Sequence, residues 1–295
     1  MSLRAAQAPA VREVLAAVTR ELAAAGCVSA RAEARWLVGE ALGPGRPELA
    51  GRGTPVPGPA RERLAAMVAR RVAGEPLQYV VGWAPFGSLR LEVGPGVFVP
   101  RPETEGLAER AASLLRAWPA PRLAIDLCTG SGAIACFLAD AVPGARVVAT
   151  ELDPAALAWA GRNAARHGVD LLQGDLDGPL PAELAGQVQV MTANVPYVPT
   201  AAIDLLPRDV REHEPRLALD GGPDGLDVLR VVAARAPRWL APAGALLCEI
   251  GDDQGEAASR VLVESGFREV GVHPDLAGRD RVIQGRRPAR EGRRP

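Results

Sequence analysis

The sequence VQVMTANVPY, residues 188–197, combines an apolar run with an abrupt change of character. Val188 to Ala193 has the length and composition of a buried β-strand, and Asn194 ends it. Pro196 then stiffens the backbone before Tyr197. Ligands bind at the carboxyl ends of strands in open α/β sheets, so this stretch is suited to present an amide and several carbonyl groups to a cleft. Taken alone, a surface loop explains these residues better, and the rest of the chain decides against that interpretation.

Short apolar strands alternate with helical segments on both sides of this stretch. The predicted strands are 123–127, 147–151, 171–172, 188–193 and 245–250, and the predicted helices are 133–141, 154–167, 229–240 and 256–264. Such alternation predicts an α/β fold with a mostly parallel sheet that is covered by helices on both faces. Residues 268–273 and 281–284 are expected to form a final antiparallel pair.

The N-terminal part of the chain has a different pattern. Apolar residues recur at three- and four-residue steps from 11 to about 71, which predicts a small helical domain over 1–75. Residues 76–100 are expected to form a β-hairpin linker, with strands at 89–93 and 97–99 around the Gly94-Pro95-Gly96 turn. The α/β domain then spans 101–287, and a basic, disordered tail spans 288–295.

Composition narrows the classes of function. The chain has 295 residues, of which 48% are hydrophobic and 23% charged, as in a soluble globular protein. The absence of a run of about eighteen apolar residues predicts no membrane span. The formal net charge of −1 gives no global attraction to nucleic acid. Four widely spaced cysteines without a CxxC pair predict free thiols, no zinc site and a cytoplasmic location, and we expect a monomer.

A glycine-containing turn, Asp126 to Gly132, connects a predicted strand to a predicted helix. Glycines at 130 and 132 let the backbone approach a ligand without a Cβ in the way. Glu151 lies nineteen positions after Gly132, at the end of the next strand. In nucleotide-binding βαβ units, an acid at this spacing bonds to ribose hydroxyls.

Two cofactors compete for this turn. The NAD fingerprint has a third glycine where this chain has Ala135, a replacement that such sites tolerate. Acids at Asp126, Glu151 and Asp175 favour a cationic ligand and repel a pyrophosphate. The residues therefore favour S-adenosylmethionine over NAD.

Several motifs along almost the whole chain identify a family. They are GEPLQY at 74–79 with Gly82, VPRPETE at 99–105, DLCTGSGAI at 126–134, GDL at 174–176, EPRLAL at 214–219 with Gly221, Gly222 and GLD at 225–227, EIG at 249–251 with Gln254 and Gly255, and DLAGRDR at 275–281. With them the chain resembles the HemK/PrmC family, the protein-glutamine N5-methyltransferases that modify peptide chain release factors.

The resemblance implies a fold and a set of cofactor contacts. The fold is a class I S-adenosylmethionine-dependent methyltransferase domain, Rossmann-like, with a C-terminal antiparallel strand and a helical N-terminal domain that docks the protein substrate. Gly130 and Gly132 then approach the cofactor, Glu151 holds its ribose, and Asp175 lies near its adenine. The expected cofactor-binding residues are Arg101, Asp126, Thr129, Gly130, Ser131, Gly132, Glu151, Asp175 and Asn194.

The resemblance also implies that an Asn-Pro-Pro-Tyr motif grips the target amide. Its match is Asn194, Val195, Pro196 and Tyr197, and these four are the expected catalytic residues. Val195 replaces the first proline of that motif, which keeps the carbonyl group but loses the fixed φ angle.

Two alternatives to a glutamine methyltransferase stay open at this point. N6-adenine methyltransferases act on a flipped base with a similar Asn-x-Pro-aromatic motif, although they need a basic binding face. The other alternative is a non-catalytic paralogue that binds the cofactor, with Val195 as a mark of decay. We also expect Glu214 to pair with an arginine.

Overall fold

A computed structural model describes residues 8–43, 53–275 and 277–289, and it divides the chain into two units. One unit runs to Gly82 and also includes Arg208–His213, and the other contains Trp83–Pro207 and the chain from Glu214 onward. Residues 1–7 and 44–52 of the predicted helical domain, residue 276 of the predicted α/β domain and residues 290–295 of the predicted tail lie outside the described residues. Among the described residues, every helix is too short or too polar to cross a membrane.

The helices and strands are numbered in chain order. The helices are α1 (Val11–Ala24), α2 (Ala30–Leu42), α3 (Gly58–Val72), α4 (Leu77–Val81), α5 (Glu105–Arg116), α6 (Ala133–Ala141), α7 (Pro154–His167), α8 (Arg208–His213), α9 (Asp227–Trp239) and α10 (Gly255–Glu264). The strands are β1 (Trp83–Phe86), β2 (Leu89–Glu92), β3 (Arg122–Leu127), β4 (Ala145–Glu151), β5 (Asp170–Gln173), β6 (Val188–Ala193), β7 (Leu240–Glu249), β8 (Arg268–Pro274) and β9 (Asp280–Arg286).

Helices α1 to α4 form the first unit around their own apolar core. Val18 and Leu22 of α1 lie one helical turn apart and are buried together with Leu37 of α2 and Leu64 of α3. Helix α8 belongs to the same unit, although it comes from the middle of the α/β part of the chain. The sequence did not predict this insertion, because no local pattern shows where a short polar helix packs.

A buried arginine ties α8 into the helical unit. Arg71 on α3 is 9% exposed, and its Nε donates to Glu33 of α2 at 2.7 Å. Its Nη2 lies 3.3 Å from a carboxylate oxygen of Asp209 on α8. Because a buried guanidinium needs charged or polar partners on several sides, three helices are held around one cation.

The second unit contains a seven-stranded sheet in the order β5-β4-β3-β6-β7-β9-β8. Strands β5, β4, β3, β6 and β7 pair in parallel, while β9 is antiparallel to both β7 and β8. The strand predicted over Val188–Ala193 has these bounds, and the expected final antiparallel pair is present. The predicted α/β fold is confirmed.

Helices cover both faces of this sheet, as its apolar strands require. Ile125 of β3 packs in a core with Leu229 and Trp239 of α9. Its neighbour Ala124 faces the other way, in a core with Leu107 of α5. Since side chains alternate along a strand, the near-continuous apolar run of β3 fills two cores at once. Because these five strands are parallel, their carboxyl ends lie at the same edge of the sheet.

The hairpin differs from its prediction. Strands β1 and β2 pair around Gly87 and Ser88, and the predicted strand 97–99 does not form. Gly87 has a φ of +55°, as two-residue hairpin turns require at that position. Val97 and Val99 are buried side chains of an irregular loop instead of members of a ladder.

This loop is held on α7 by a tryptophan. A Cβ at Gly94 would lie 2.4 Å from the ring of Trp159, and the indole N–H donates to the Pro95 carbonyl at 3.2 Å. The turn residues predicted at 94–96 therefore pack against a helix and do not close a hairpin.

The ion cluster around Arg71 gives a test of the helical unit. Replacement Arg71→Leu leaves Glu33 and Asp209 without their cation, and we expect it to lower the free energy of unfolding by about 3 kcal/mol. Urea unfolding followed by circular dichroism measures this change. In the matched control Arg230→Leu, the arginine side chain is 45% exposed and we expect little change. Equal stability of the two variants would contradict the assigned role.

Candidate active site

A cavity of about 410 Å³ opens at the edge of the sheet where the parallel strands end. Its volume is within the range of about 300–1,000 Å³ that is typical of small-molecule sites. Most of the residues that the sequence predicted as site residues line it: Thr129, Gly130, Ser131, Glu151, Asp175, Asn194, Pro196 and Tyr197. Arg101, Asp126, Gly132 and Val195 are not in its wall.

Asp126 lies beneath the turn that follows β3. It is fully buried and accepts hydrogen bonds from the hydroxyls of Thr129 at 2.6 Å and Thr192 at 2.7 Å. Burial raises the pKa of this carboxyl to about 6, against the effect of the two hydroxyls. Its contacts show how Asp126 fixes the turn, since it joins the turn to β6.

Glu151 lies in the cavity wall at the end of β4. One carboxylate oxygen accepts from the Gly130 amide at 2.8 Å, and the other accepts from the Asp153 amide at 2.9 Å. Each oxygen keeps a further lone pair for another donor. Gly130 has a φ of +57°, and a Cβ there would meet no atom within 4 Å, so space beside the turn is open.

The electrostatics of the wall favour a cation with an apolar part. Glu151, Asp153, Asp175 and Asp227 line the cavity, and the single described cation among the lining residues is Arg235, which pairs with Asp177 at 3.1 Å. Phe98, Leu152 and Leu176 supply apolar surface beside these acids. This donor set fits S-adenosylmethionine, which carries a sulfonium charge, ribose hydroxyls and an adenine ring, and it does not fit a pyrophosphate.

The segment after β6 leaves the sheet and is held by backbone contacts with 219–222. The amide of Val198 donates to the Leu219 carbonyl at 2.9 Å, and the amide of Gly221 donates to the Val198 carbonyl at 2.9 Å. The side chain of Gln254 donates to the Tyr197 carbonyl at 2.9 Å. Asn194 and Tyr197 therefore project from a backbone that is fixed on two sides.

Two glycines make this close packing possible. A Cβ at Gly221 would lie 2.6 Å from the Pro196 carbonyl oxygen, and one at Gly225 would lie 2.2 Å from that of Tyr197. Gly225 also has a φ of +77°, a conformation that other residues rarely adopt. The GG and GLD motifs of the sequence thus pack directly against the backbone of the Asn194–Tyr197 segment.

Arg101 lies outside the cavity wall and contacts one of the residues that form it. Its guanidinium lies 2.6 Å from Glu214 and 4.8 Å from the ring centre of Phe98, which lines the cavity. The expected pairing of Glu214 with an arginine is confirmed. Val195 is 2% exposed and packs in the core under α9, so its side chain faces away from the cavity.

Sequence reasoning missed two polar residues next to the motif. Thr104 lies in the wall, 3.4 Å from the amide nitrogen of Asn194, and its hydroxyl donates to Glu249 at 2.6 Å. The Tyr197 hydroxyl donates to the other oxygen of Glu249 at 3.1 Å. Burial raises the pKa of Glu249 to about 7 and also raises the pKa of Tyr197. An acid at a strand end, the signal that pointed to Glu151, was present at Glu249 as well.

Comparisons with known proteins agree with this site. A protein-family model described as the PrmC N-terminal domain matches residues 13–82, and a family model described as a methyltransferase domain matches residues 124–213. A methyltransferase structure from Pyrococcus furiosus, 18% identical, has a TM-score of 0.51 and covers 77% of this chain and 98% of its own, which shows the shared fold.

Full-length relatives are more similar. The release factor glutamine methyltransferase of Mycolicibacterium smegmatis is 43% identical over 285 residues, which are 95% of this chain and 99% of that protein. The one from Moorella thermoacetica is 46% identical over 280 residues, 92% of this chain and 97% of that protein. Because both relatives are more than 40% identical over nearly the whole of this chain, the chain belongs to the release factor glutamine methyltransferase family.

Proposed function

We propose that this chain methylates the side-chain amide nitrogen of a glutamine in a peptide chain release factor. The observation that carries the proposal is the position of Asn194, whose amide lies in the cavity wall at the end of β6, beside Tyr197. The names of the full-length relatives support the choice of substrate over a nucleic acid base. Four free thiols support a cytoplasmic location.

The chemistry of a carboxamide explains why such a site is needed. The amide nitrogen is a weak nucleophile because its lone pair is delocalised into the carbonyl group. A site that binds both N–H groups with acceptors holds this nitrogen in line with the methyl donor. The Asn194 side-chain oxygen and the Val195 carbonyl are the proposed acceptors. Positioning and fixed dipoles then supply most of the acceleration.

The cofactor residues follow from the wall of the cavity. We assign the ribose to Glu151, whose oxygens keep lone pairs, and the backbone approach to Gly130, where a Cβ would meet no atom within 4 Å. Gly132 lies outside the wall, and its contact with the cofactor stays a prediction. Asp175 and Leu176 would border the adenine. S-adenosylmethionine supplies an electrophilic methyl group on its sulfonium centre.

The helical unit has a separate proposed role. It has its own apolar core, and none of its described residues lines the cavity. We propose that it docks the body of the release factor, while the α/β unit holds the glutamine.

A transfer assay tests the function. Purified full-length protein is incubated with tritiated S-adenosylmethionine and either a release factor or duplex DNA. Label on the release factor, at a glutamine that mass spectrometry identifies, is the expected result. Label on DNA would support an adenine methyltransferase, and label on neither substrate would favour a non-catalytic paralogue.

Glu151 tests the cofactor assignment. Glu151→Ala should weaken the binding of S-adenosylmethionine by about 1–3 kcal/mol, because a charge-assisted ribose contact is lost. Isothermal calorimetry measures the affinity, and Glu183→Ala, which changes an exposed acid outside the cavity wall, is the matched control. Unchanged affinity in Glu151→Ala, or equal affinity of the native protein for NAD, would contradict the assignment.

Asn194 tests the amide grip. Its side-chain acceptor has no apolar substitute, so Asn194→Ala should lower turnover by about 100- to 1,000-fold. Single-turnover kinetics with a release factor measure this loss, and thermal unfolding confirms that the variant is folded. Normal turnover in this variant would rule out the proposed mechanism.

Val195 tests the identity of the substrate. Val195→Pro keeps the carbonyl and restricts the unfolded backbone, an effect of about 0.4–1 kcal/mol. With a glutamine substrate we expect unchanged cofactor affinity and the same or slightly higher turnover. A large loss of turnover with intact cofactor binding would show that valine serves a different acceptor.

A further inference from the structure

Glu249 is a buried acid that the proposed grip on the substrate does not use. It is the last residue of β7, its exposure is 0%, and it forms no ion pair with any residue that the structure describes. Burial of a carboxylate is strongly unfavourable unless directional donors compensate for the lost water. Two hydroxyls do so here, those of Thr104 at 2.6 Å and Tyr197 at 3.1 Å.

The hydroxyl of Thr104 links the orientation of the Asn194 amide to Glu249. A threonine hydroxyl has a single proton and two lone pairs. Because this proton is donated to Glu249, the hydroxyl offers a lone pair to its other neighbour, Asn194. The atom of Asn194 that faces it, at 3.4 Å, is accordingly the amide nitrogen. This hydrogen bond is long, so it biases the orientation of the amide without locking it.

The orientation of this amide decides what the site can bind. With the nitrogen of Asn194 turned to Thr104, the oxygen at the other end of the amide is left as an acceptor for a group in the cavity. In the opposite orientation an N–H donor would face the N–H groups of the substrate, and no hydrogen bond would form.

We propose that Glu249 is a positioning residue that sets, through Thr104, the orientation of the Asn194 amide and thereby makes Asn194 an acceptor for the substrate N–H. The same carboxylate anchors Tyr197, the other end of the motif. This inference rests on the proposed function, because only an amide or amine substrate needs that acceptor. It also gives a role to Thr104 of the VPRPETE motif and Glu249 of the EIG motif, which neither the expected cofactor residues nor the proposed amide acceptors include.

The hydrogen bonds that run from Asn194 through Thr104 to Glu249 form a relay, and their direction depends on the charge of Glu249. As a carboxylate it only accepts; as a neutral acid it can donate to Thr104, whose own proton is then free to turn toward Asn194. The groups that act on the charge of Glu249 are its hydrogen-bond partners Thr104 and Tyr197 and the charged side chains of Glu103 and Arg281. Burial raises its pKa to about 7, Glu103 adds to this, and the hydroxyls and Arg281 oppose it.

Kinetic pH profiles of the full-length enzyme test the charge dependence. As pH falls through about 7, Glu249 gains a proton and kcat/KM should decline by about tenfold per unit. Glu249→Gln has no ionisable group at this position, so its kcat/KM should not show this decline. Its kcat/KM at pH 8 should be about tenfold below that of the wild type. The carboxyl of Asp126, whose pKa is about 6, should still titrate in both proteins.

Matched variants separate positioning from packing. Thr104→Val keeps the shape but lacks the hydroxyl and should lower kcat by about tenfold with unchanged cofactor affinity, while Thr104→Ser should restore it. Glu256→Gln makes the same chemical change at an 86% exposed side chain and should leave the profile unchanged. A decline near pH 7 that persists in Glu249→Gln would overturn the proposal.

A spectroscopic test does not depend on activity. In isotopically labelled protein, the Asn194 side-chain amide signals, identified by their loss in Asn194→Ala, should titrate with the carboxyl signal of Glu249. In Thr104→Val the carboxyl should still titrate while Asn194 no longer follows it. Asn194 signals that are independent of pH, or that titrate unchanged in Thr104→Val, would refute the relay. A protein that shows the coupled titration but methylates no release factor would refute the proposed function alone.

Discussion

The site depends on how the backbone of the Asn194–Tyr197 segment is held after it leaves the sheet. At the end of β6 this segment has no strand ladder to satisfy its peptide groups, and a buried peptide group without a partner is strongly unfavourable. The 219–222 segment supplies hydrogen bonds to Val198, and Gln254 supplies one to the Tyr197 carbonyl. Gly221 and Gly225 let these partners come close enough. The direction of every side chain in the motif follows from these contacts.

The buried acids of the site share one physical solution. Asp126 is satisfied by two threonine hydroxyls, Glu151 by two backbone amides, and Glu249 by a threonine and a tyrosine hydroxyl. Neutral donors stabilise each carboxylate without cancelling its charge. Above the pKa values of about 6 for Asp126 and about 7 for Glu249, negative charge therefore remains at the edge of the sheet for a sulfonium ligand. Arginine partners would have neutralised it. The ion pair of Arg101 with Glu214 lies outside the cavity wall, so it does not neutralise an acid that lines the cavity.

Local patterns were sufficient to predict the sheet and several of the residues at its strand ends, although not Glu249. The strand Val188–Ala193, the turn with Gly130 and the acid Glu151 all follow from periodicity, glycine positions and spacing, which act over a few residues. The hairpin prediction failed because Gly94 packs on Trp159, a contact between residues far apart in sequence. The membership of α8 in the helical unit and the contact of Thr104 with Glu249 were missed for the same reason.

The valine at position 195 can be understood from the same tertiary contacts. Proline would fix φ in both the folded and the unfolded chain, and its main benefit is a smaller loss of conformational entropy on folding. In this chain the flanking Pro196 already restricts Val195, since a residue before proline is confined to extended conformations. The buried side chain of Val195 contributes apolar packing in the core beneath α9. A proline at this position would also bury an apolar ring, so the two residues differ mainly in the fixed φ angle. That difference is worth about 0.4–1 kcal/mol, and Pro196 already supplies part of the same restriction.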